Sequence, residues 1–119
     1  MEKKDNHIMV SIKCLAYNHE KYIRQCLEGI VSQKTSFEYE AIVHDDASTD
    51  NTAKIIHEFE EKYPDIIKPI YEEKNLYQSD IIALRKKMNY FVKGKYVAFC
   101  ECDDYWIDEY KLQKQVNFL

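Results

Sequence analysis

Apolar residues along the chain fall into two alternating rhythms. Met9 to Leu15 (MVSIKCL) is a short apolar run of strand length. After it, Tyr22, Ile23, Cys26, Leu27, Ile30 and Val31 recur at the spacing of one helical face, which predicts an amphipathic helix from Glu20 to about Gln33. Tyr39 to His44 (YEAIVH) reads as a second strand, running straight into Asp45 and Asp46. Thr49 or Asp50 is a good N-cap for the next helix, whose inner face is Ala53, Ile56, Phe59 and Tyr63, with Pro64 as its stop. Ile66 to Tyr71 is a weaker strand candidate, demoted in its middle by Pro69. Ser79 is placed to cap a third helix facing inward through Ile81, Leu84, Met88 and Phe91, with Gly94 as its C′ residue. Tyr96 to Cys100 (YVAFC) is the cleanest strand, and Asp108 caps a last helix through Leu112, Val116 and Leu119.

The order is β-α-β-α-β-α-β-α. Such alternation predicts an α/β fold with a mostly parallel sheet, right-handed crossovers and helices on both faces. Sheets of this kind bind ligands beyond the carboxyl ends of their strands. That rule directs attention to the loops after Leu15, His44, Tyr71 and Cys100. Residues 1–8 read as a flexible, charged tail rather than a signal peptide, and residues 9–119 as one domain. The last helix runs to Leu119 with no cap, so the chain reads as truncated at its C-terminus.

Composition narrows the classes. The 119 residues are 45% hydrophobic and 32% charged with only two glycines and two prolines, a globular mixture without low-complexity or linker segments. The net charge of −4 gives no electrostatic footprint for nucleic acid or an anionic membrane. No apolar run approaches the ~20 residues of a membrane span. Cys14, Cys26, Cys100 and Cys102 are read as small buried thiols in a reducing cytoplasm, with a metal-thiolate site or a redox pair as the other readings. The C-x-C spacing is too tight for the usual zinc knuckle.

Two of the four predicted loops carry acids. In Asp45-Asp46-Ala47-Ser48-Thr49-Asp50, helix capping accounts for Thr49 and Asp50, because carboxylates complement a helix N-terminus. It does not account for Asp45 and Asp46, two adjacent carboxylates at the end of a buried strand, where a base N–H or ribose hydroxyl would find acceptors. In Glu101-Cys102-Asp103-Asp104, three carboxylates within four residues form a hard-oxygen set suited to Mg2+ or Mn2+; the alternative is a solvated acidic turn. His44 and His19 lie near the same edge and read as satisfied structural side chains, with a phosphate or acceptor contact as the alternative for His44. No P-loop, dinucleotide fingerprint or nucleophile elbow is present.

Four segments in register carry a resemblance: Val10-Ser11-Ile12 with Tyr17-Asn18, Tyr22-Ile23 through Gln33, Asp45 to Asp50, and Gly94 to Phe99 followed by Glu101 to Trp106. Together they resemble family 2 glycosyltransferases over nearly all of residues 9–119. The resemblance implies a GT-A-type, Rossmann-like α/β/α sandwich and, here, its N-terminal nucleotide-sugar-binding part. It implies a nucleotide-diphosphate sugar donor, commonly UDP-linked, a Mn2+ or Mg2+ ion, and transfer with inversion to a hydroxyl on a carbohydrate or lipid-linked acceptor. Leu15, Ala16, Tyr17 and Asn18 match the segment that wraps the base, and Asp45 and Asp46 the acids that hold base or ribose. Arg85 falls near the diphosphate. Glu101, Cys102 and Asp103 fall on the D-x-D signature, with Asp103 as metal ligand and Asp104 as its helper. The family's catalytic base comes from a later segment, beyond Leu119.

The sequence departs from the family pattern at Leu15, where proline is common, at Glu101 for the first Asp, at Cys102 for a small residue, and at Glu73 to Gln78, where a glycine-rich stretch is usual. A nucleotide-sugar-binding module without transfer activity is the alternative reading. A receiver-like signalling domain is disfavoured, because its late-strand lysine and lone phospho-accepting aspartate are absent in order. The expected setting is bacterial surface polysaccharide synthesis in the cytoplasm or at the inner face of the membrane, with self-association open.

Overall fold

A computed structural model describes residues 7–102 and 106–119 of the chain. Four strands, β1 (Ile8–Ala16), β2 (Glu38–Asp45), β3 (Ile67–Tyr71) and β4 (Tyr96–Phe99), form one sheet in the order β3-β2-β1-β4. Every pairing is parallel. The helices are α1 (Ile23–Val31), α2 (Thr52–Lys62), α3 (Leu76–Ser79), α4 (Ile81–Tyr90) and α5 (Lys111–Phe118). The expected α/β sandwich is therefore the fold found. The strand β1 takes in Ile8, which the sequence left in the tail.

The period of two in a strand divides β1 between two layers. Val10, Ile12, Cys14 and Ala16 join Ile23, Cys26, Leu27 and Ile30 of α1, Ile56 and Phe59 of α2 and Leu112 of α5 in one closed core. Ser11, Lys13 and Leu15 face the opposite layer, where Asn89 of α4 accepts a hydrogen bond from Lys13 Nζ and Leu84 and Met88 are buried. Ser11 and Glu40, buried polar groups of this layer, are paired, as burial requires. Ser11 donates to Glu40 at 2.6 Å, and the Lys93 N–H donates to the same carboxylate at 3.1 Å.

Several local readings need correction. Ser79 does not cap the third helix. Asn75 caps a separate single turn, α3, and the Asp80 carboxylate accepts the Ala83 N–H at 3.0 Å to start α4. Gly94 is not a left-handed C′ residue, since α4 has ended at Tyr90 and no glycine has positive φ. It is needed for closeness: a Cβ there would lie 2.4 Å from the Ser11 nitrogen and 2.7 Å from the Val10 carbonyl carbon. The two positive-φ residues are Asn18 (53°) and Ala47 (63°). Asparagine tolerates that region well and alanine does not. The cysteines also depart from expectation. All four are buried, but Cys14 and Cys102 are joined in a disulfide, while Cys26 and Cys100 are thiols. The bridge closes a loop of 88 residues, worth about 4.6 kcal/mol of chain entropy in the loop-closure account.

A buried polar relay ties β2 to the α4 layer. His44, fully buried, has Nε2 2.9 Å from Glu72 Oε2, and Lys87 Nζ donates to the same carboxylate at 2.7 Å. Burial holds the His44 imidazole below its ordinary pKa against the pull of Glu72. For Glu72, burial pushes upward but is outweighed by bonds from Lys87 and His44, leaving it below the usual carboxylate range. Both folded pKa values lie below the unfolded ones, so both groups favour folding at neutral pH and lose that contribution on acidification. Stability is expected to fall first as pH drops through about 6.5, where unfolded histidine takes up its proton, and again below about 4.3 as Glu72 protonates. Urea titrations from pH 8 to 3.5 will show both phases, with the second smaller in Glu72→Gln and the remainder due to other carboxylates held low, such as Asp50. The close approach at Gly94 predicts a loss of about 1–3 kcal/mol for Gly94→Ala. Ala47→Gly is expected to gain about 1 kcal/mol by relieving its left-handed backbone, and the same titrations at pH 7 measure both.

Candidate nucleotide-sugar site

The carboxyl ends of β1, β2 and β4 open onto a cavity of about 550 Å3 on the α4 side of the sheet. Strand parity decides which candidate residues reach it. Leu15 and Tyr17 line it, whereas Ala16 between them is fully buried in the core on the other face. The same parity separates the adjacent acids. Asp46 lines the cavity; Asp45 does not, and is buried. They are therefore divided between the two faces of the sheet, although the Asp46 charge still contributes to raising the Asp45 pKa after burial, its main cause.

Asp46 is held by backbone. Its N–H donates to the Ala16 carbonyl at 2.9 Å, and its two carboxylate oxygens accept the N–H groups of Leu76 (2.7 Å) and Tyr77 (2.8 Å). It thus fixes α3 as a wall of the cavity. Asp45 Oδ1 is buried with no hydrogen-bond partner among the described residues. Burial raises the Asp45 pKa, and the Ser48 hydroxyl and N–H pull it back only partly. Asn18 is spent on the neighbouring loop: its N–H donates to Ser48 Oγ at 2.9 Å, and its Oδ1 accepts the Thr49 N–H at 2.8 Å. That pair of bonds clamps the β1–α1 loop to the β2–α2 loop. Asp50 lies just outside, where its carboxylate accepts the Thr52 N–H and hydroxyl.

Arg85 on α4, and Glu101 and Cys102 after β4, line the same cavity. Asp103 and Asp104 lie outside the described residues. The donor chemistry of the described part suits a hard divalent cation only through Glu101, since the Cys102 sulfur is buried and bonded to Cys14. The lining also contains residues that sequence reading missed. Lys13 stands in the wall beside the Phe99 ring, 5.6 Å from its centroid. A lysine inside an otherwise apolar strand was the available signal. Asn75, Tyr77 and Gln78 come from the segment recognised only as lacking glycines, and His19 Nδ1 accepts the Tyr17 N–H at 3.2 Å. His44, the other histidine considered, is a structural member of the Glu72 relay. The cavity thus gathers two cations, Lys13 and Arg85, with carboxylates at Asp46 and Glu101. This combination suits an anionic ligand that also presents hydroxyl or amide donors.

The sequence profile of "Glycosyl transferase family 2" matches residues 11–119. An uncharacterized protein of Mycobacterium tuberculosis is 44% identical over 110 residues, covering 92% of this chain and 31% of that protein. The UDP-Glc:alpha-D-GlcNAc-diphosphoundecaprenol beta-1,3-glucosyltransferase WfaP of Escherichia coli is 34% identical over 111 residues, covering 93% of this chain and 41% of that enzyme. The crystal structure of Staphylococcus aureus TarS 1-349 in complex with UDP superposes with a TM-score of 0.74 and 31% identity, covering 93% of this chain and 32% of that one. The chain spans about a third of the length of these relatives. No described helix is long and apolar enough to cross a membrane. With a profile match over nearly the whole sheet and its cavity, the chain belongs to glycosyl transferase family 2.

Proposed function

We propose that this chain forms the donor-binding part of a glycosyltransferase that moves a hexosyl group from a nucleotide-diphosphate sugar, UDP-linked, to an acceptor hydroxyl with inversion. The observation that carries this reading is the single cavity bounded by Leu15, Tyr17, Asp46, Arg85 and Glu101 at the carboxyl end of a parallel sheet. The UDP complex of TarS and the UDP-glucose donor in the name of WfaP support the choice of nucleotide. The same relatives support a carbohydrate or lipid-linked acceptor and a role in bacterial surface polysaccharide synthesis, at the cytoplasmic face of the membrane.

In this reading the β1–α1 loop, held by the Asn18 clamp, presents Leu15 and Tyr17 to the base. Asp46 keeps acceptor capacity beyond its two backbone bonds and faces the ribose. Asp45, turned to the other face, supports the β2–α2 loop through Ser48. Lys13 and Arg85 stand where diphosphate oxygens need cations. Glu101, Asp103 and Asp104 would hold Mn2+ or Mg2+, which supplies charge neutralisation for the departing nucleoside diphosphate. The base that takes the acceptor's proton is assigned, by family resemblance, to a segment after Leu119.

Thermal unfolding with a panel of nucleoside diphosphates tests this. UDP at about 100 times its Kd with Mn2+ is expected to add about 2.7 kcal/mol of stability. Removing a charge-assisted bond worth about 1.5–3 kcal/mol, as in Arg85→Ala, should weaken UDP binding roughly 10- to 100-fold. Asp103→Ala should abolish the Mn2+-dependent part of the shift alone. A folded protein that no nucleotide stabilises would rule out the donor-site reading.

A further inference from the structure

The four cysteines converge from three separate parts of the fold: Cys14 on β1, Cys26 on α1, and Cys100 and Cys102 beyond β4. All four are buried. The Cys26 sulfur lies 3.8 Å from that of Cys14 and 3.7 Å from that of Cys100, which is sulfur–sulfur contact. The sulfurs of Cys14, Cys26 and Cys102 all lie within 4.8 Å of one another. The Cys26 thiol is therefore packed against the disulfide on the side of Cys14, with the Cys100 thiol behind it.

We propose that Cys14, Cys26 and Cys102 form an internal thiol–disulfide exchange centre that ties Cys102, and with it Glu101, to β1 or releases them. The Cys26 sulfur attacks the Cys14 sulfur, and the Cys14–Cys102 bond breaks with its electron pair leaving on Cys102. The proton given up by Cys26 ends on Cys102, so no external oxidant or reductant is consumed. In one state Cys14 holds Cys102, the middle residue of Glu101-Cys102-Asp103, against β1. In the other Cys14 is joined to Cys26 on α1, and the loop carrying Glu101 is no longer cross-linked. Glu101 and Cys102 line the cavity, so exchange alters one wall of it. The effect on nucleotide binding rests on the donor-site reading; the exchange itself does not.

The test is disulfide mapping of the full chain, purified without reductant, quenched in acid, alkylated while denatured and digested for mass spectrometry. The expected result is a dominant Cys14–Cys102 pair with a minor Cys14–Cys26 pair, and Cys100 alkylated. After incubation with oxidised glutathione, Cys102→Ser should carry Cys14–Cys26 alone, and Cys26→Ser should carry Cys14–Cys102 alone. The wild-type minor species is read directly, so the test survives a variant that does not fold. Four alkylated cysteines in the wild type, a stoichiometric zinc ion on four thiols, or the absence of any Cys14–Cys26 pair overturns the exchange. Separately, UDP titrations with Mn2+ on the wild type before and after dithiothreitol should give Kd values differing several-fold, and Cys26→Ser should show the same difference. Equal Kd values would overturn control of the site while leaving the mapped exchange intact, and no UDP binding in either state would instead overturn the donor-site reading.

Discussion

The candidate site depends on one buried carboxylate. Asp46 sits just past β2, fully buried, and both of its oxygens are taken by the backbone of α3 while its N–H continues the ladder to β1. A carboxylate in that position is stable because each of its oxygens accepts a backbone N–H; without those donors its desolvation would be costly. The consequence is that a four-residue turn, too short to persist by its own helical hydrogen bonding, is held at a fixed height above the sheet. The position of Tyr77, and so of one side of the cavity, follows from that anchoring. A side chain expected to contact ligand is first of all a part of the wall that shapes the ligand's space.

The architecture was legible because hydrophobic period alone separates strands from helices here, and because a βαβ alternation leaves few topologies to choose from. All four strands were found within a residue of their expected ends, and the run demoted by Pro69 forms β3 at an edge of the sheet, where a missing N–H is tolerated. What could not be read were contacts between segments far apart in sequence. Asn75 and Asp80 lie five residues apart and each caps its own helix, a division that looks like one start signal until Asp46 is seen to anchor the first turn. Gly94 looked like a helix terminator because its real constraint, the backbone of β1, is more than 80 residues away in sequence.

The site was legible in part for the same reason. Leu15, Tyr17, Asp46, Arg85, Glu101 and Cys102 converge as the sheet-edge rule implies. Ala16, Asn18 and Asp45 were grouped with them by family resemblance, which does not register that neighbouring residues at a strand end point to opposite faces. Lys13 was passed over because strand residues were weighed as core. The cysteines show the limit most clearly. Their spacing in sequence gave no hint that Cys14 and Cys102 meet across the β1–β4 pair, since only the parallel crossover places β1 between β2 and β4.

The two borders of the sheet differ in a way that sets its direction of growth. On β3, the Ile66 carbonyl and the Glu72 N–H both face β2, so the period of two turns the nitrogen of Pro69 outward, where it has no hydrogen to give. That border therefore lacks one ladder donor in its middle. On β4, the other border among the described residues, the backbone at Val97 and Phe99 carries its full complement of donors and acceptors, and both side chains are exposed. A strand added at the β4 side would meet an unbroken row of donors and acceptors and would lie next to Glu101, at the wall of the cavity.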